Sequence, residues 1–337
     1  MQAVRGLYDP ASTGHPMTSL TTRFATLTAL ALFLAAPLQP ARSAGDWPRT
    51  ITHEGGELVL DSAPQRIVST TPSLTGILLA MNAPVAASAA TTPGPLTDSK
   101  GFFSQWAAEA DARGVEVLYS NLAFDLEAVI GSAPDLAVVS ATGADSVKAH
   151  LAELQAQDLP VIVLNYSNQS WQAIARQLGE ATGLEGEAEA AIQRFDAMAA
   201  STAKAIVPPK GSVSIVGYNI GGSYSIGKPD SPHARLLSSL GMTVAGLPDN
   251  MRGQVTRSSD FDLISRENLP AAIQGETVFL LRATDKDVEA FLADPVLANL
   301  PAVRNRQVYP LGPSSHRIDY YSGQEIMSLI AARFARP

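Results

Sequence analysis

Residues 124–129 (FDLEAV) lead to the apolar run 136–139 (LAVV), and the pattern returns where 261–263 (FDL) and 267–269 (ENL) lead to 277–281 (TVFLL). In each copy a helix-compatible segment with an acidic residue precedes an unbroken apolar run. Such a run is typical of a strand buried on both faces of a parallel sheet. The repeat therefore predicts two lobes of one architecture.

A glutamate occupies the same place in both copies of this pattern. Glu127 precedes Val138 by 11 residues, and Glu267 precedes Val278 by 11 residues. Equivalent acidic side chains on two lobes can contact one partner together. The sequence thus predicts a bilobed binding protein whose two glutamates face a common partner.

The rest of the chain alternates predicted strands with helices. Strand segments are predicted at 65–69 (directly after Pro64), 85–87, 136–139, 161–164, 213–216, 277–281 and 307–309. Their alternation with helices indicates an α/β protein with mostly parallel sheets covered on both faces. Apolar residues at three- and four-residue steps predict one long helix over 187–206, which Pro208 and Pro209 end.

The long helix separates two predicted lobes. We assign residues 45–184 to an N-terminal α/β lobe, 185–208 to the linking helix and 209–337 to a C-terminal α/β lobe. A continuous helix resists bending more than a coil linker does. We therefore expect little relative motion of the lobes and a ligand held in a shallow cleft at the strand ends.

The first 44 residues predict a secretory signal peptide. Arg23 precedes the uncharged run 24–36, Pro37 interrupts it, and small residues follow at Ala41, Ser43 and Ala44. The run is short for a membrane span, which needs about 20 apolar residues. The chain contains no cysteine, so we expect no lipid attachment at the cleavage point and a soluble periplasmic protein without disulfides.

The charge of the chain argues against nucleic acid as a partner. The formal net charge is −8, and removal of residues 1–44, with three Arg and one Asp, leaves −10. An acidic protein repels a phosphate backbone. If the ligand is an anion, local basic residues must bind it against the overall field.

Common catalytic and metal motifs are incomplete. Residues 222–229 (GSYSIGKP) resemble a phosphate-binding loop, but Pro229 stands where a Ser or Thr would hold magnesium. This segment is instead predicted to be a glycine-rich loop at the cleft mouth, with Tyr224 touching the ligand. No Gly-x-Ser-x-Gly motif is present. The histidines after residue 44 lack metal-ligand spacing, so we expect no enzyme activity and no metal held by protein ligands alone.

Basic residues are concentrated in the second half, where Arg252, Arg282 and Arg317 are candidates for binding an anion. Arg282 directly follows the apolar run 277–281, at the end of a strand where open α/β sheets bind ligands. Arg317 lies in the polar and aromatic segment 314–322. A charge at the end of a buried strand needs a functional or structural reason.

Taken together, the chain after residue 44 resembles the class III periplasmic substrate-binding proteins, which serve ABC importers for iron–siderophores, haem and cobalamin. The matching segments are 46–49 (DWPR), 64–70 (PQRIVST), 74–76 (LTG), 90–93 (ATTP), 140–143 (SATG), 145–146 (DS), 267–269 (ENL), 300–303 (LPAV) and 317–322 (RIDYYS). Together they are far more specific than any single motif above.

This resemblance implies two lobes joined by a long helix and a monomer that binds a tris-catecholate ferric complex such as ferric enterobactin. The siderophore already coordinates the iron, so no separate cofactor is expected. Ligand residues implied by position are Ser69, Thr70 and Thr142 at strand ends and Arg317 in its matching segment. The resemblance also implies that Glu127 and Glu267 dock onto arginines of an inner-membrane ABC permease.

Other functions remain open at the level of sequence. Haem would need an axial ligand such as His316 or Tyr224, and cobalamin would not need Arg282 or Arg317. The departures of Arg282 and of segment 218–227 from the family pattern leave the identity of the siderophore open. An esterase that opens a siderophore lactone is a further alternative, although no motif indicates it.

Overall fold

The computed structural model describes residues 47–167, 169–258 and 260–337. The predicted signal peptide, residues 1–44, lies outside this range. The first half begins with the hairpin β1 (Arg49–His53) and β2 (Gly56–Leu60). Five parallel strands then form a sheet of order β5-β4-β3-β6-β7. They are β3 (Ile67–Ser69), β4 (Val85–Ser88), β5 (Glu116–Val117), β6 (Leu136–Ser140) and β7 (Val161–Leu164).

Helices connect these strands and cover the sheet. They are α1 (Pro72–Ala80), α2 (Ser104–Ala112), α3 (Leu126–Gly131), α4 (Leu151–Gln155), α5 (Trp171–Thr182) and α6 (Glu185–Ala205). Pro72 begins α1 at a position where a missing backbone N–H costs nothing. Gly183, in the left-handed conformation, ends α5 and lets the chain turn into α6.

The second sheet combines a parallel half with an antiparallel half. Its order is β11-β12-β9-β8-β13-β14, and β10 also pairs with β8. The strands are β8 (Ser212–Ile220), β9 (Ser223–Gly227), β10 (Thr243–Val244), β11 (Thr256–Arg257), β12 (Phe261–Ile264), β13 (Thr277–Leu280) and β14 (Val308–Pro310). The helices are α7 (Pro232–Ser239), α8 (Leu269–Ala272), α9 (Asp285–Leu292), α10 (Pro301–Arg304) and α11 (Tyr320–Phe334). The predicted α/β class with mostly parallel sheets is confirmed.

The prediction of a helix-compatible segment in both copies of the repeat is wrong for the second copy. Residues 124–126 lead into α3, and the Asp125 carboxylate caps that helix by accepting from the Ala128 N–H at 3.0 Å. The same three letters at 261–263 form β12, which pairs antiparallel with β9. Helical structure in the second copy is confined to a 3₁₀ turn at Arg266–Asn268 and to α8. The available strand partner, rather than the local sequence, decides between the two.

The glycine-rich segment is a hairpin and not a phosphate-binding loop. Gly221 and Gly222 form a two-residue turn between β8 and β9, with φ of +59° and +83°. Positive φ at both central residues is the requirement of a tight hairpin turn that matches the strand twist. Residues 223–227, predicted as a loop, are therefore strand β9.

Each sheet buries alternate residues on opposite faces. In β13, Phe279 faces the largest core cluster, whereas Val278 and Leu280 face a second cluster under α8 and α9. The largest cluster continues from α1 and α5 through α6 to β8 and β13, so one apolar core joins both halves of the chain.

Two helices tie the halves together. The predicted long helix is α6, which packs on α5 of the first half and on α7 of the second. The C-terminal helix α11 follows the second sheet in the chain but packs on α6, α1 and α2. A Cβ atom on Gly323 would overlap the ring of Phe195, so glycine permits the close approach of α11 to α6. In the described part of the chain, no helix is both long and apolar enough to span a bilayer.

Candidate functional site

The loops at the carboxyl ends of the parallel strands from both sheets meet one another. Tyr166 follows β7, and the segment 311–319 follows β14. The guanidinium carbon of Arg317 lies 3.9 Å from the centroid of the Tyr166 ring. The Phe103 and His316 rings are in contact, with centroids 5.0 Å apart. The carboxyl edges of the two sheets therefore meet at this junction, which we call the cleft, and the carboxyl edge is where open α/β sheets bind ligands.

Arg317 is a half-buried cation without an ion-pair partner. Among the described residues, no carboxylate lies within 4.0 Å of its guanidinium. Asp260 is close enough for Arg317 to oppose the rise in the pKa of that carboxyl, which burial causes. The positive charge of Arg317 is thus available to an anion that enters the cleft.

Arg282 lies at the end of β13, as the sequence predicted. Its backbone has φ of +51°, which is unusual for a residue other than glycine. The Arg282 N–H donates to Ser315 Oγ at 2.8 Å, and Ser315 Oγ donates to the Gly312 carbonyl at 2.7 Å. These bonds hold the strained turn and leave the side chain exposed. Arg282 lines a cavity of about 160 Å³ together with Tyr218 and residues of the β8–β9 turn.

Two histidines near these arginines are held in the neutral form. Burial, Arg317 and Arg282, in that order, lower the pKa of His316 to about 4. Burial also lowers the pKa of His233 to about 4. His233 Nε2 lies 2.7 Å from the Ser315 carbonyl, which only accepts, so Nε2 carries the proton. The described residues contain no group of three His, Asp or Glu side chains placed to hold a metal ion.

A buried carboxylate supports the first-lobe side of the cleft. Asp145 accepts from the Tyr166 hydroxyl at 2.6 Å, from the Ser73 N–H at 3.1 Å and from the Thr71 hydroxyl. Burial and then the Asp145 charge raise the pKa of Tyr166 to about 12. The phenol therefore remains a proton donor at any physiological pH.

Of the three hydroxyl residues predicted to contact the ligand, two are buried and one is partly exposed. Ser69 and Thr70 are fully buried, and their hydroxyls donate to the carbonyls of Thr71 and Val138. They shape the loop after β3 and present no surface to the cleft, so we do not retain them as ligand contacts. Thr142 is half-buried, and its hydroxyl has no hydrogen-bond partner in the described structure.

Arg252 and Tyr224 also lie in the second half, but each is engaged with neighbours. Arg252 forms an exposed ion pair with Asp249 at 2.9 Å. Tyr224, on β9, contacts the ring of Tyr218 edge-on, with centroids 5.5 Å apart. Tyr218 in turn donates to a carboxylate oxygen of Asp294 at 2.7 Å. Arg252 is thus a weaker candidate for anion binding than Arg282 or Arg317.

Glu127 and Glu267 are both exposed at the carboxyl edge of their sheets. Glu127 lies in the first turn of α3, which leads back to β6, and Glu267 lies in the 3₁₀ turn that leads through α8 to β13. Helices between parallel strands run opposite to the strands, so each begins at the carboxyl edge. The two glutamates therefore lie on the side of the molecule that carries the cleft.

Sequence reasoning missed Tyr166, Asp145 and Phe103. Tyr166 follows the predicted strand 161–164 almost directly, and the rule that identified Arg282 would have identified it as well. Asp145 follows β6 in the same way. Phe103 carries no such signal, because it precedes a helix and reaches the cleft only through packing.

A larger cavity, of about 490 Å³, lies beside the long helix. Its lining comes from the first turn of α5, the middle of α6 and the first turns of α7, with Ile318 next to Arg317. Trp171 and Phe195 provide aromatic surface there. Both halves of the chain therefore contribute to the lining of this cavity beside α6.

Comparison with known proteins gives one family. The model described as "Periplasmic binding protein" matches residues 67–314. The ferric enterobactin-binding periplasmic protein FepB of Escherichia coli O6:H1 (strain CFT073) is 41% identical over 298 residues, which cover 87% of this chain and 93% of FepB.

Solved structures give the same result. The structure of holo-ViuP has a TM-score of 0.78 and 41% identity, and covers 86% of this chain and 96% of that chain. PiaA of Streptococcus pneumoniae TIGR4, solved in complex with ferrichrome, has a TM-score of 0.64 at 18% identity, covering 85% and 99% of the two chains. The PiaA likeness shows the fold alone.

Proposed function

Because the chain belongs to the periplasmic binding protein family, we propose that it is a periplasmic receptor that binds a ferric catecholate siderophore and delivers it to an inner-membrane ABC permease. The family and the relative FepB, which is named for ferric enterobactin, support the class of ligand. The observation that carries the proposal is the pair Arg282 and Arg317, whose charges both act on His316 and which form no ion pair with a carboxylate among the described residues.

The charges explain how an anion would bind to an acidic protein. Ferric tris-catecholates are polyanionic, and arginine presents a planar fork that suits paired oxygen atoms. Hydrogen bonds to charged groups contribute about 1.5–3 kcal/mol each, so two arginines fall short of the roughly 12 kcal/mol of nanomolar affinity. Aromatic contacts from Phe103, Tyr218 and Tyr224 supply part of the remainder.

The proposed ligand set is Arg282, Arg317 and Thr142, with Tyr224 at the rim. The Thr142 hydroxyl supports this assignment because it lacks a partner in the described structure. The siderophore coordinates the iron, so the protein needs no metal ligands of its own. We expect the cargo to be recovered chemically unchanged, and the protein to act as a monomer by light scattering.

A titration tests the proposal. The protein purified from the periplasmic fraction is titrated with ferric enterobactin, and tryptophan fluorescence is followed. We expect saturable quenching at nanomolar concentration, and no quenching by a neutral ferric trihydroxamate of similar size. Equal affinity for the two complexes, or no response to the catecholate, would refute the proposal that the ligand is an anionic ferric complex. A Soret band on addition of haem would assign the cleft to haem instead.

A further inference from the structure

Tyr166 is held in one orientation by groups that are buried beneath it. Its hydroxyl donates to Asp145, and both residues are about 95% buried. The second carboxylate oxygen of Asp145 accepts from Thr71 and from the Ser73 N–H at the start of α1. A tyrosine bonded in this way cannot turn its ring without breaking a buried, charge-assisted hydrogen bond.

Gly143 leaves the space that the Tyr166 hydroxyl occupies. Its φ is +87°, and a Cβ atom at this position would overlap the Tyr166 hydroxyl. Glycine is therefore required twice, for the backbone conformation and for the space that the phenol occupies. The loop after β6 is built around this ring.

Arg317 covers one face of the Tyr166 ring. At 3.9 Å from guanidinium carbon to ring centroid, the cation is in contact with the electron-rich face. A hydrogen bond from the phenol to a carboxylate makes the ring more electron-rich and so strengthens this attraction. No ion pair of Arg317 with a carboxylate is found among the described residues, and a guanidinium has five N–H donors with which to bind oxygen atoms of a ligand.

The other end of Arg317 is also fixed. Its carbonyl accepts from Ser322 Oγ at 2.7 Å, and Ser322 N–H donates to Asp319 at 2.7 Å in the cap of α11. The side chain is therefore anchored at its backbone by α11 and at its head by a ring from the opposite sheet. An arginine held in this way has lost its rotamer freedom before the ligand arrives.

We propose that Asp145 and Tyr166 are positioning residues for anion binding: the buried carboxylate fixes the ring, and the ring holds Arg317 with its N–H groups directed into the cleft. This inference rests on the proposed function. Tyr166 then affects ligand affinity only by holding Arg317. The loss of Tyr166 should therefore weaken binding only while Arg317 is present.

A double-mutant cycle tests this dependence. Tyr166→Leu is expected to weaken ferric enterobactin binding about tenfold, the typical effect of freeing one long side chain. In an Arg317→Gln background the same change is expected to alter affinity by less than about twofold. Tyr166→Leu keeps the charge of Arg317 but frees its side chain, so it is expected to lower the salt dependence of binding part of the way toward that of Arg317→Gln.

Conservative variants and a control separate positioning from folding. Tyr166→Phe keeps the ring and should lose only about threefold, and Asp145→Asn should lose a similar factor. Tyr309→Leu removes a tyrosine ring that packs on Phe334 at 4.8 Å, away from the cleft, and should leave affinity unchanged. Urea melts show whether each variant is folded.

The outcomes are distinct. If the unmodified protein does not bind the catecholate, the proposed function fails. If it binds and Tyr166→Leu weakens binding equally with and without Arg317, or Tyr166→Phe is as poor as Tyr166→Leu, the positioning role is overturned. If Tyr166→Leu fails to fold, the double-mutant cycle is run with Tyr166→Phe instead. Additive effects of Tyr166→Phe and Arg317→Gln on affinity would then overturn the positioning role.

Discussion

Glu127 and Glu267 occupy equivalent positions in the two sheets. Each is exposed in a helical turn that leads into a central parallel strand, β6 or β13. Val138 of β6 lies between β3 and β7, and Val278 of β13 lies between β8 and β14. Because both turns begin at the carboxyl edge, the acidic pair lies on the cleft side of the molecule, one residue on each sheet.

This placement predicts that the two glutamates serve delivery and not ligand binding. Replacing both by Ala should abolish siderophore-dependent import while the dissociation constant stays within about twofold, since neither residue lines the cleft. Uptake of labelled ferric enterobactin by cells measures the first quantity, and fluorescence titration measures the second. The double variant Glu57→Ala/Glu116→Ala removes the same charge from exposed strand positions and should import normally. Import that survives loss of Glu127 and Glu267 would refute the docking role.

An arginine that is already paired with a carboxylate and one that is not should contribute unequally to affinity. Arg317→Ala should weaken ferric enterobactin binding about ten- to hundredfold, the equivalent of one or two charged hydrogen bonds. Arg252→Ala is the matched control, because that side chain is exposed and already paired with Asp249, and it should change affinity less than about threefold. Titrations at low and moderate salt measure both. A larger loss for Arg252 than for Arg317 would reverse the assignment.

The close contact between Gly143 and the Tyr166 hydroxyl predicts that one added methyl group at position 143 lowers stability. Gly143→Ala should lower the free energy of unfolding by about 2–4 kcal/mol, from overpacking and from the left-handed backbone. Gly114→Ala separates the two contributions, since Gly114 has φ of +68° but no atom within 4 Å of the position that an added methyl group would take; it should cost only about 1 kcal/mol. Urea denaturation followed by tryptophan fluorescence measures both. Equal costs would show that the phenol does not constrain this position.

The buried histidine predicts a dependence of stability on pH. The pKa of His233 falls from its ordinary value of 6.5 to about 4 in the folded protein, so the unfolded chain binds more protons between these values. Stability from this group is therefore present above pH 6.5 and is lost as the pH falls toward 4, with on the order of 2 kcal/mol lost by pH 5.

A variant isolates this contribution. Burial raises the pKa of Asp319 and Asp260, and such groups favour the folded state as the pH falls, which opposes the histidine. His233→Gln keeps a donor for the Ser315 carbonyl but cannot titrate. The free energy of unfolding of His233→Gln should depend less steeply on pH between 6.5 and 5 than that of the unmodified protein. An unchanged slope would show that His233 does not contribute.

Local pattern was sufficient for most of the elements. The runs 136–139, 161–164 and 277–281 were recognisable as buried strands because no polar residue interrupts them. The helix α6 followed from its apolar period, and Arg282 from its place at the end of a strand. Where a short segment could pair with a strand or form a helix, as at 261–263, local pattern was insufficient.

The cleft itself depended on contacts between distant residues. Asp145, Tyr166 and Arg317 belong to three different loops, and Arg317 follows Tyr166 by 151 positions in the chain. Periodicity reports the environment of neighbours in the chain, so it does not register such a contact. The burial of Ser69 and Thr70 is of the same kind, because the acceptor of the Thr70 hydroxyl is a carbonyl of another strand.

The sequence by itself determined the two-lobed α/β class, the long helix and the family, because these depend on hydrophobic period and on motifs that are local in the chain. Only the tertiary structure decided which charges are available to a ligand. That property depends on whether a side chain meets a carboxylate, an aromatic ring or the open cleft, and packing between the two halves brings those partners together.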